Sequence, residues 1–365
     1  MYLKMSRPIL NKMIPLVRVD IGKEEIRAVS KVLKSGWLTM GPETQLFEEE
    51  FARYVGAKYA IAVNSATSAL FLALKALKVG SGDEVIVPSF TFASSANVIV
   101  HCGATPVFVD IKFDDFTMDQ KSLDAAITSK TKAVIPVHYG ANRAIIKTNL
   151  PVIEDSAHLI KRNGDNKKAF ASCYSFYATK NITTGEGGMI TVSDEKLTDW
   201  LKMARLHGLS RDAWKRYDLE SKWVYTVEFS GWKVNTTDIN SALGRVQLKR
   251  LDSFQKRRRE VLALYNKLLG LNNKGTHLYP ILVDERDKFF EYMKKNGIGC
   301  SFHFTPLHLQ PAFRKYKTPK LPVTEYVGER VATIPFDAVI SDTEIKKVAE
   351  LILKYPGFKR NRVCP

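Results

Sequence analysis

The sequence predicts an α/β fold with an open, mostly parallel sheet, followed by a smaller α+β domain. Two observations carry this. Between residues 60 and 208, short apolar strand-like runs alternate with helical runs, which is how βα units feed a parallel sheet. From about residue 209 the alternation loosens and a different pattern begins. A chain of 365 residues is comfortable for two domains, expected at 1–245 and 246–365.

The elements follow in order. Residues 22–34 form a helix with Ile26, Val29 and Leu33 on one face, stopped by Gly36. GPETQLFEEEFARYVGA (41–57) forms a second, with Leu46, Phe47, Phe51 and Val55 inward. AIAV (60–63) is a strand and SATSALFLALKAL (65–77) a helix. DEVIVPSF (83–90) is a strand and 93–103 a helix; TPVFVDI (105–111) is a strand and 122–128 a short helix. Strands are expected at 132–139, 151–157, 172–177 and 188–194, then a helix at 195–208. DLESKWVYTVEFSGWKVN (218–235) is aromatic and β-prone, read as a hairpin that reaches across a subunit boundary. Residues 237–270 are helical, with a break expected near Asp252. HLYPILV (277–283), a helix at 287–297, a strand near CSFHFT (300–305) and a helix at 342–355 complete the smaller domain.

Composition narrows the function. With 45% hydrophobic and 25% charged residues, the chain reads as an ordinary globular protein. No apolar run approaches the roughly 18 residues a membrane span needs. Pro8, Asn11, Lys12 and Pro15 interrupt the basic N-terminus, so it lacks the apolar stretch of a signal peptide. A cytoplasmic location is expected. Cys102, Cys173, Cys300 and Cys364 have no CxxC spacing, so neither a metal site nor a disulfide framework is expected. The net charge of +17 gathers at Lys256-Arg257-Arg258-Arg259 and at Lys359-Arg360 with Arg362. No nucleic-acid module accompanies it, so a solvated helix face and a basic tail are the favoured reading. A basic surface also steers anionic small substrates.

In a parallel sheet, ligands bind beyond the carboxyl ends of the strands. Asn64-Ser65-Ala66-Thr67-Ser68 follows AIAV at a helix start, where hydroxyls and free N–H groups hold phosphate; plain N-capping explains the same residues. Asp155 ends the apolar strand PVIE, with His158 three residues on. A buried acid in that setting usually has a partner. Lys180 follows SCYSFY, with Gly185, Gly187 and Gly188 behind it. A phosphate-binding helix start, an aspartate and a lysine after three strands match the needs of pyridoxal phosphate. The lysine forms the Schiff base, the aspartate keeps the pyridine nitrogen protonated, and the helix start takes the phosphate. GxxxxGK[ST] and GxGxxG are both absent, which disfavours a P-loop or a dinucleotide fold.

SFYATKNITTGEGG, NSATSALFLALKAL, GDEVIVPSFTFASSANVI, GATPVFVDI, AVIPVHYG, PVIEDSAH and NTTDINSALGRVQL resemble, in order, the signature blocks of the DegT/DnrJ/EryC1/StrS sugar aminotransferases. HFTPLHLQPAF (303–313) resembles the family's C-terminal signature. The resemblance implies fold type I of the pyridoxal-phosphate enzymes: a three-layer α/β/α large domain and a smaller α+β domain. It implies Lys180 as the residue that joins the cofactor and then shuttles a proton, and Asp155 on the pyridine nitrogen. His158 would lie near the 3-hydroxyl and Phe92 on the ring. Thr67, Ser68 and Ser175 would hold the phosphate, with Asn235 reaching it from the other subunit of a homodimer. Thr39, Glu186 and His308 are expected around the substrate. The reaction implied moves an amino group from glutamate to a nucleotide-linked keto-deoxysugar, for a surface glycan, lipopolysaccharide or glycosylated metabolite. A related branch that removes a sugar hydroxyl usually has histidine at the lysine position, so Lys180 favours transamination.

The chain departs from the family pattern between HYG (138–140) and PVIED (151–155), where ten residues replace a longer segment with a full helix. KRNGDNKKAFASC lacks the usual glycine-rich approach to its strand, and residues 270–277 are also short. These trims touch pocket walls and leave the cofactor positions intact. Three alternatives stay open: a cyclic or other small ketone as acceptor, a dehydration on the same cofactor, and a non-enzymatic paralogue that binds ligand or nucleic acid through its basic surface.

Overall fold

The computed structural model describes residues 13–164, 166–210 and 225–360. Helices α1 (Lys23–Ser35) and α2 (Pro42–Val55) precede strand β1 (Tyr59–Val63). Then come α3 (Ala66–Ala76), β2 (Glu84–Pro88), α4 (Ala93–His101), β3 (Thr105–Val109), α5 (Gln120–Ala126) and β4 (Thr131–Val134). β5 (Ile153–Asp155), β6 (Ala171–Ser175), β7 (Gly188–Val192) and α6 (Glu195–Ala204) follow. After helix α7 (Asp238–Leu269) come β8 (Tyr279–Leu282), α8 (Arg286–Lys295), α9 (Pro322–Arg330), β9 (Val331–Ile334) and α10 (Asp342–Lys354).

Among the described residues, seven strands make one sheet. β2 pairs in parallel with β3 and β4, and β5 with β6. Parallel bridges Val134–Val152 and Val137–Asp155 join β4 to β5. β7 runs antiparallel to both β6 and β1. The order is β3-β2-β4-β5-β6-β7-β1, mostly parallel as the alternation predicts. This connectivity puts the carboxyl ends of β1, β2, β4, β5 and β6 on one edge, with the start of β7.

Period-two alternation sorts the strand side chains into two layers. Ile61, Val63, Cys173 and Ile190 pack with Leu70, Ala96, Val98 and Leu201 from α3, α4 and α6. Ala60, Ala62, Tyr174 and Met189 pack with Phe47 and Phe51 of α2 and Leu248, Leu251 and Phe254 of α7. Three layers result. Phe51 is fully buried between two aromatic neighbours, Tyr174 and Phe176, and cutting it to alanine costs about 3–5 kcal/mol. A second core gathers Val261, Tyr265 and Leu269 from the far end of α7 with β8, β9, α8 and α10. Asp110, just after β3, accepts from the N–H groups of Val323 (3.1 Å) and Thr324 (2.7 Å). It thereby caps α9 and ties the C-terminal elements to the sheet.

Some local expectations fail. Val32 and Glu25 are the buried residues of α1, while Ile26 and Leu33 are exposed. Glu25 receives Gln247 and Arg250, so a polar anchor turns the helix and leaves its apolar stripe outside. Leu46 also faces out. Helix α7 runs unbroken through Asp252, because its first half is covered by α2 and its second half by the C-terminal core. CSFHFT contributes one bridge, Ser301–Thr333, and no extended strand. In the basic run at 256–259, Arg258 is buried and donates to the Asn181 carbonyl (3.1 Å), and Arg257 pairs with Asp342, so the run is not one solvated face. Of the expected hairpin, 218–224 lie outside the described residues, as do Arg362 and Cys364; Val227 and Lys233 bridge to Leu209 and Leu206.

Candidate active site

At the sheet edge the register places Val63, Gly188 and Ser175 in one row. With strands about 4.8 Å apart, the turn after β1 and the end of β6 lie about 10 Å apart across Gly188. A Cβ on Gly188 would fall 2.4–2.6 Å from the Ser65–Ala66 peptide. Glycine is required there because the start of α3 rests on the strand backbone. Ser65 caps α3 by accepting from the Ser68 N–H (3.1 Å), and the Ser68 hydroxyl donates to Asn64 Oδ1 (2.7 Å). Among the described residues no protein group accepts the N–H groups of Ala66 and Thr67. A helix start with two open donors is an anion cradle. The Val234 carbonyl accepts from the Asn64 N–H (2.8 Å), which sets Asn235 beside that turn in its own chain. Its side chain accepts from Lys233 (2.5 Å) and donates to the Thr236 carbonyl (2.9 Å).

Asp155 ends β5 on the face toward α4. Its carboxylate accepts from the Ser95 hydroxyl (2.8 Å) and the Ala157 N–H (3.1 Å). Lys180 lies in the loop after β6. Burial pushes its ammonium down to about 8, and the nearby Asp155 charge only partly offsets this. Pyridoxal phosphate offers an anionic group, a ring nitrogen that a carboxylate keeps protonated, and an aldehyde that takes an amine. The open helix start, the buried aspartate and the poorly solvated lysine fit it in that order.

A buried aromatic group borders the lysine. His158 lies 4.5 Å from His277 and 5.9 Å from Phe304 between ring centroids, nearly parallel to the latter. Burial first, then the Lys180 charge, holds both His158 and His277 well below the ordinary histidine range. His303 is pushed down to about 4 by the same two causes and lies 3.0 Å from the Thr333 hydroxyl. Phe92, more than half exposed, reaches Phe304 at 6.0 Å.

A family model, that of the DegT/DnrJ/EryC1/StrS aminotransferases, matches residues 19–353. The chain belongs to this family. It is a pyridoxal-phosphate-dependent sugar aminotransferase of fold type I. The aminotransferase is 43% identical over 376 residues to the spore coat polysaccharide biosynthesis protein SpsC of Bacillus subtilis, covering 94% of this chain and 97% of that protein. It superposes on the putative sugar aminotransferase Spr1654 from Streptococcus pneumoniae in its PMP form with a TM-score of 0.84, at 32% identity, covering 93% and 98% of the two chains. Helicobacter pylori PseC, an aminotransferase involved in the biosynthesis of pseudoaminic acid, gives a TM-score of 0.84 at 28% identity over 94% and 99%.

The aminotransferase thus brings Thr67, Ser68, Ser175, Asp155, His158 and Lys180 to one edge. Of the residues expected around the substrate, Thr39 is exposed and offers its carbonyl to Asp238 (3.1 Å). Glu186 is exposed, and its carbonyl accepts from Thr184 and Asn240 (both 2.7 Å). His308 is drawn onto Ser89, with Nδ1 2.6 Å from the hydroxyl and Nε2 3.4 Å from Glu325. The shortened 141–150 link folds against the start of α5, where Gln120 bonds both ways with Lys147. Sequence reasoning missed Ser95, His277, His303 and Phe304. His277 stands at the amino end of β8 and His303 lies in a stretch that forms no extended strand, so the carboxyl-end criterion raises neither, and only folding brings them to Lys180.

Proposed function

We propose that this aminotransferase moves an amino group from glutamate to the keto carbon of a nucleotide-linked keto-deoxysugar, in the cytoplasm, for a surface polysaccharide. The observation that carries the reading is Lys180: a half-buried residue whose ammonium desolvation holds at about 8, near a buried aspartate at the sheet edge. SpsC is named for spore coat polysaccharide biosynthesis and PseC for pseudoaminic acid biosynthesis, which supports an amino-sugar product.

The bound cofactor supplies an electron sink that makes the proton on the carbon beside the substrate nitrogen removable. Lys180 would take that proton and return it to the carbon on the far side of the shared nitrogen; an amine near 8 is partly neutral at neutral pH and so could serve as both base and acid. Asp155, held by Ser95 and the Ala157 N–H, keeps the ring nitrogen protonated. Thr67, Ser68 and Ser175 hold the phosphate with the helix start, and Phe92 covers the ring. Asn235 lies beside the helix-start turn of its own chain, so its proposed contact to the phosphate of the second subunit's site needs the two turns to meet at the interface of a homodimer. The exposed apolar stripe of α1, Ile26 and Leu33, suits burial against a second copy. Thr39, Glu186 and His308 are the proposed substrate wall, and the chain is proposed to divide near residue 245 into cofactor and C-terminal domains.

The test is a panel of nucleotide keto-sugars with glutamate, read out as 2-oxoglutarate formed. Turnover of at least one sugar is expected. Silence on all of them, with glutamate still discharging its amino group, would turn the assignment to a cyclic ketone acceptor.

A further inference from the structure

We propose that Asn181 is the positioning residue for Lys180, and that Gln255 and Arg258 of α7 hold it in place. The inference rests on the site reading above, in which Lys180 joins the cofactor. Lys180 stands in the loop between β6 and β7, which has no helix or strand of its own. Its N–H donates to the Tyr177 carbonyl (2.9 Å), a bond within the loop that leaves the placement of the loop open. The next residue supplies that placement. Asn181 is buried, and its carbonyl and both polar ends of its side chain are engaged. Its Oδ1 accepts from Gln255 Nε2 (2.9 Å), its carbonyl accepts from Arg258 Nη1 (3.1 Å), and its Nδ2 donates to the His158 carbonyl (2.8 Å). Turned over, the amide would set Oδ1 against the His158 carbonyl, so its orientation is fixed.

The clamp grips the lysine loop from two sides. Gln255 and Arg258 stand one helical turn apart on α7, so their side chains leave the same face. Val261, a turn further on, enters the C-terminal core, so the gripping helix is itself anchored there. On the other side His158 follows β5, whose last residue is Asp155. Asn181 therefore fixes the residue beside Lys180 against α7 and against the strand of Asp155 at once. Arg258 is an unusual group to find in this role. It is buried, and among the described residues no carboxylate pairs with it. Burial holds its guanidinium down to about 10, and the charge of Asp337 offsets this only in part. Asp337 itself accepts from the N–H groups of Arg18 (2.9 Å), Val339 (2.8 Å) and Ile340 (2.6 Å). The cavity shared by Arg258, Asn181 and Lys180 is about 20 Å³, room for about one water and too small for a substrate. A buried cation whose protein acceptor is one carbonyl is destabilising by itself. Here that carbonyl belongs to the residue next to the reactive amine.

The test mixes cofactor-free protein with pyridoxal phosphate. Capture of the aldehyde by the Lys180 amine, with loss of one water, is followed as growth of the visible band. Affinity for pyridoxamine phosphate, which has no aldehyde to capture, is measured in parallel. Asn181→Ala, Gln255→Ala and Arg258→Met should each capture about ten- to a hundredfold more slowly than wild type. Their Kd for pyridoxamine phosphate should stay within about threefold. Arg258→Lys keeps a cationic donor and should recover most of the rate. The charged and titratable groups facing the amine are Asp155 from β5, His158 after it, His277 before β8, His303 and Arg258. Asn181→Ala and Gln255→Ala alter none of them, so the pH midpoint of capture should stay near 8 while the plateau rate falls. Gln255 acts through Asn181, so the double variant should be no slower than Asn181→Ala alone. Variants that unfold more easily yet capture at the wild-type rate would reduce the clamp to packing and overturn the proposal. An equal loss of pyridoxamine phosphate affinity, a moved midpoint with an unchanged plateau, or additive losses in the double variant would overturn it too. Capture by Lys180→Met would instead overturn the site reading on which the clamp rests. No amino donor or sugar is present, so these outcomes are distinct from failure of the substrate assignment.

Discussion

Glu154 and Asp155 are consecutive carboxylates on one short strand, and they face opposite layers. Glu154 is surrounded: Asn166 Nδ2 and the Ser172 hydroxyl each donate at 2.9 Å, His138 Nε2 lies at 3.5 Å and Arg143 at 3.7 Å. Burial alone would raise its carboxyl, yet His138, Asn166 and Arg143 outweigh burial and hold it at about 2. Asp155 is equally buried and has two donors, Ser95 and Ala157, for roughly four acceptor positions. Its companion Lys180 is worse off still, an amine that desolvation holds below its ordinary 10.5. Completed polar groups stabilise this fold, and incompletely satisfied ones mark the place where another molecule completes them.

The largest expected effect comes from the least satisfied group. Lys180→Met should cut transamination by about 10³-fold or more. It should also make the cofactor-free protein more stable at pH 7, by about 1–3 kcal/mol, because a desolvated ammonium is removed. The sign follows from the lowered value. Below about 8 both folded and unfolded chains carry the proton and the penalty is complete. Between about 8 and 10.5 only the unfolded chain binds it, so wild type gains stability and the advantage of the variant fades. Denaturant unfolding of both proteins at pH 7 and pH 10 checks this; a variant less stable than wild type at pH 7 would contradict it.

The two carboxylates should respond in opposite ways. Glu154→Gln is expected to lose about 2–3 kcal/mol of stability at pH 7 with cofactor affinity nearly intact. Asp155→Asn should keep stability within about 1 kcal/mol and weaken cofactor binding tenfold or more. The Glu154 contribution is present above the ordinary 4.5 and is lost as pH falls toward about 2, so wild type and Glu154→Gln should converge in acid. Equal stability losses for the two variants would dissolve the contrast.

The same contrast explains what could be read in advance. The sheet was legible because buried parallel strands are short apolar runs, and Asp155 and Lys180 because strand ends in such a sheet are the site. Glu154 stood next to Asp155 in plain view and was passed over: its partners His138, Arg143, Asn166 and Ser172 come from separate segments, and only folding brings them together. The outward stripe of α1 was unreadable for a related reason. Periodicity identifies an apolar face but not which neighbour claims the helix, and Glu25, anchored by Gln247 and Arg250, decided it. The expected break in α7 failed because a helix supported along both halves has no need of one.

Gly188 tests the joint between the two kinds of region. It is a core strand residue on which the anion-binding turn rests directly, so Gly188→Ala must displace the Ser65–Ala66 peptide. The expected result is a loss of about 1–3 kcal/mol from overpacking, with cofactor affinity down about tenfold because the helix start moves. Gly185, at φ +80° with open space around it, is the control: alanine there strains the turn without touching α3. Similar affinity losses at both glycines would mean that the turn is not carried by the strand.

The smallest effect is expected where polar groups are satisfied at the surface. Asp252 accepts from the Tyr54 hydroxyl (2.7 Å) and pairs with Arg162, at the midpoint of α7. Asp252→Ala and Asp252→Gly remove the same contacts, so those losses cancel when the two variants are compared. What remains is helix propensity: in an unbroken helix the glycine variant should be less stable than the alanine variant by about 1 kcal/mol. A helix broken at this point would leave the two variants equal, or favour glycine. Chemical denaturation resolves a difference of that size, and both variants should keep wild-type cofactor affinity, since this end of the polar inventory is far from the sheet edge.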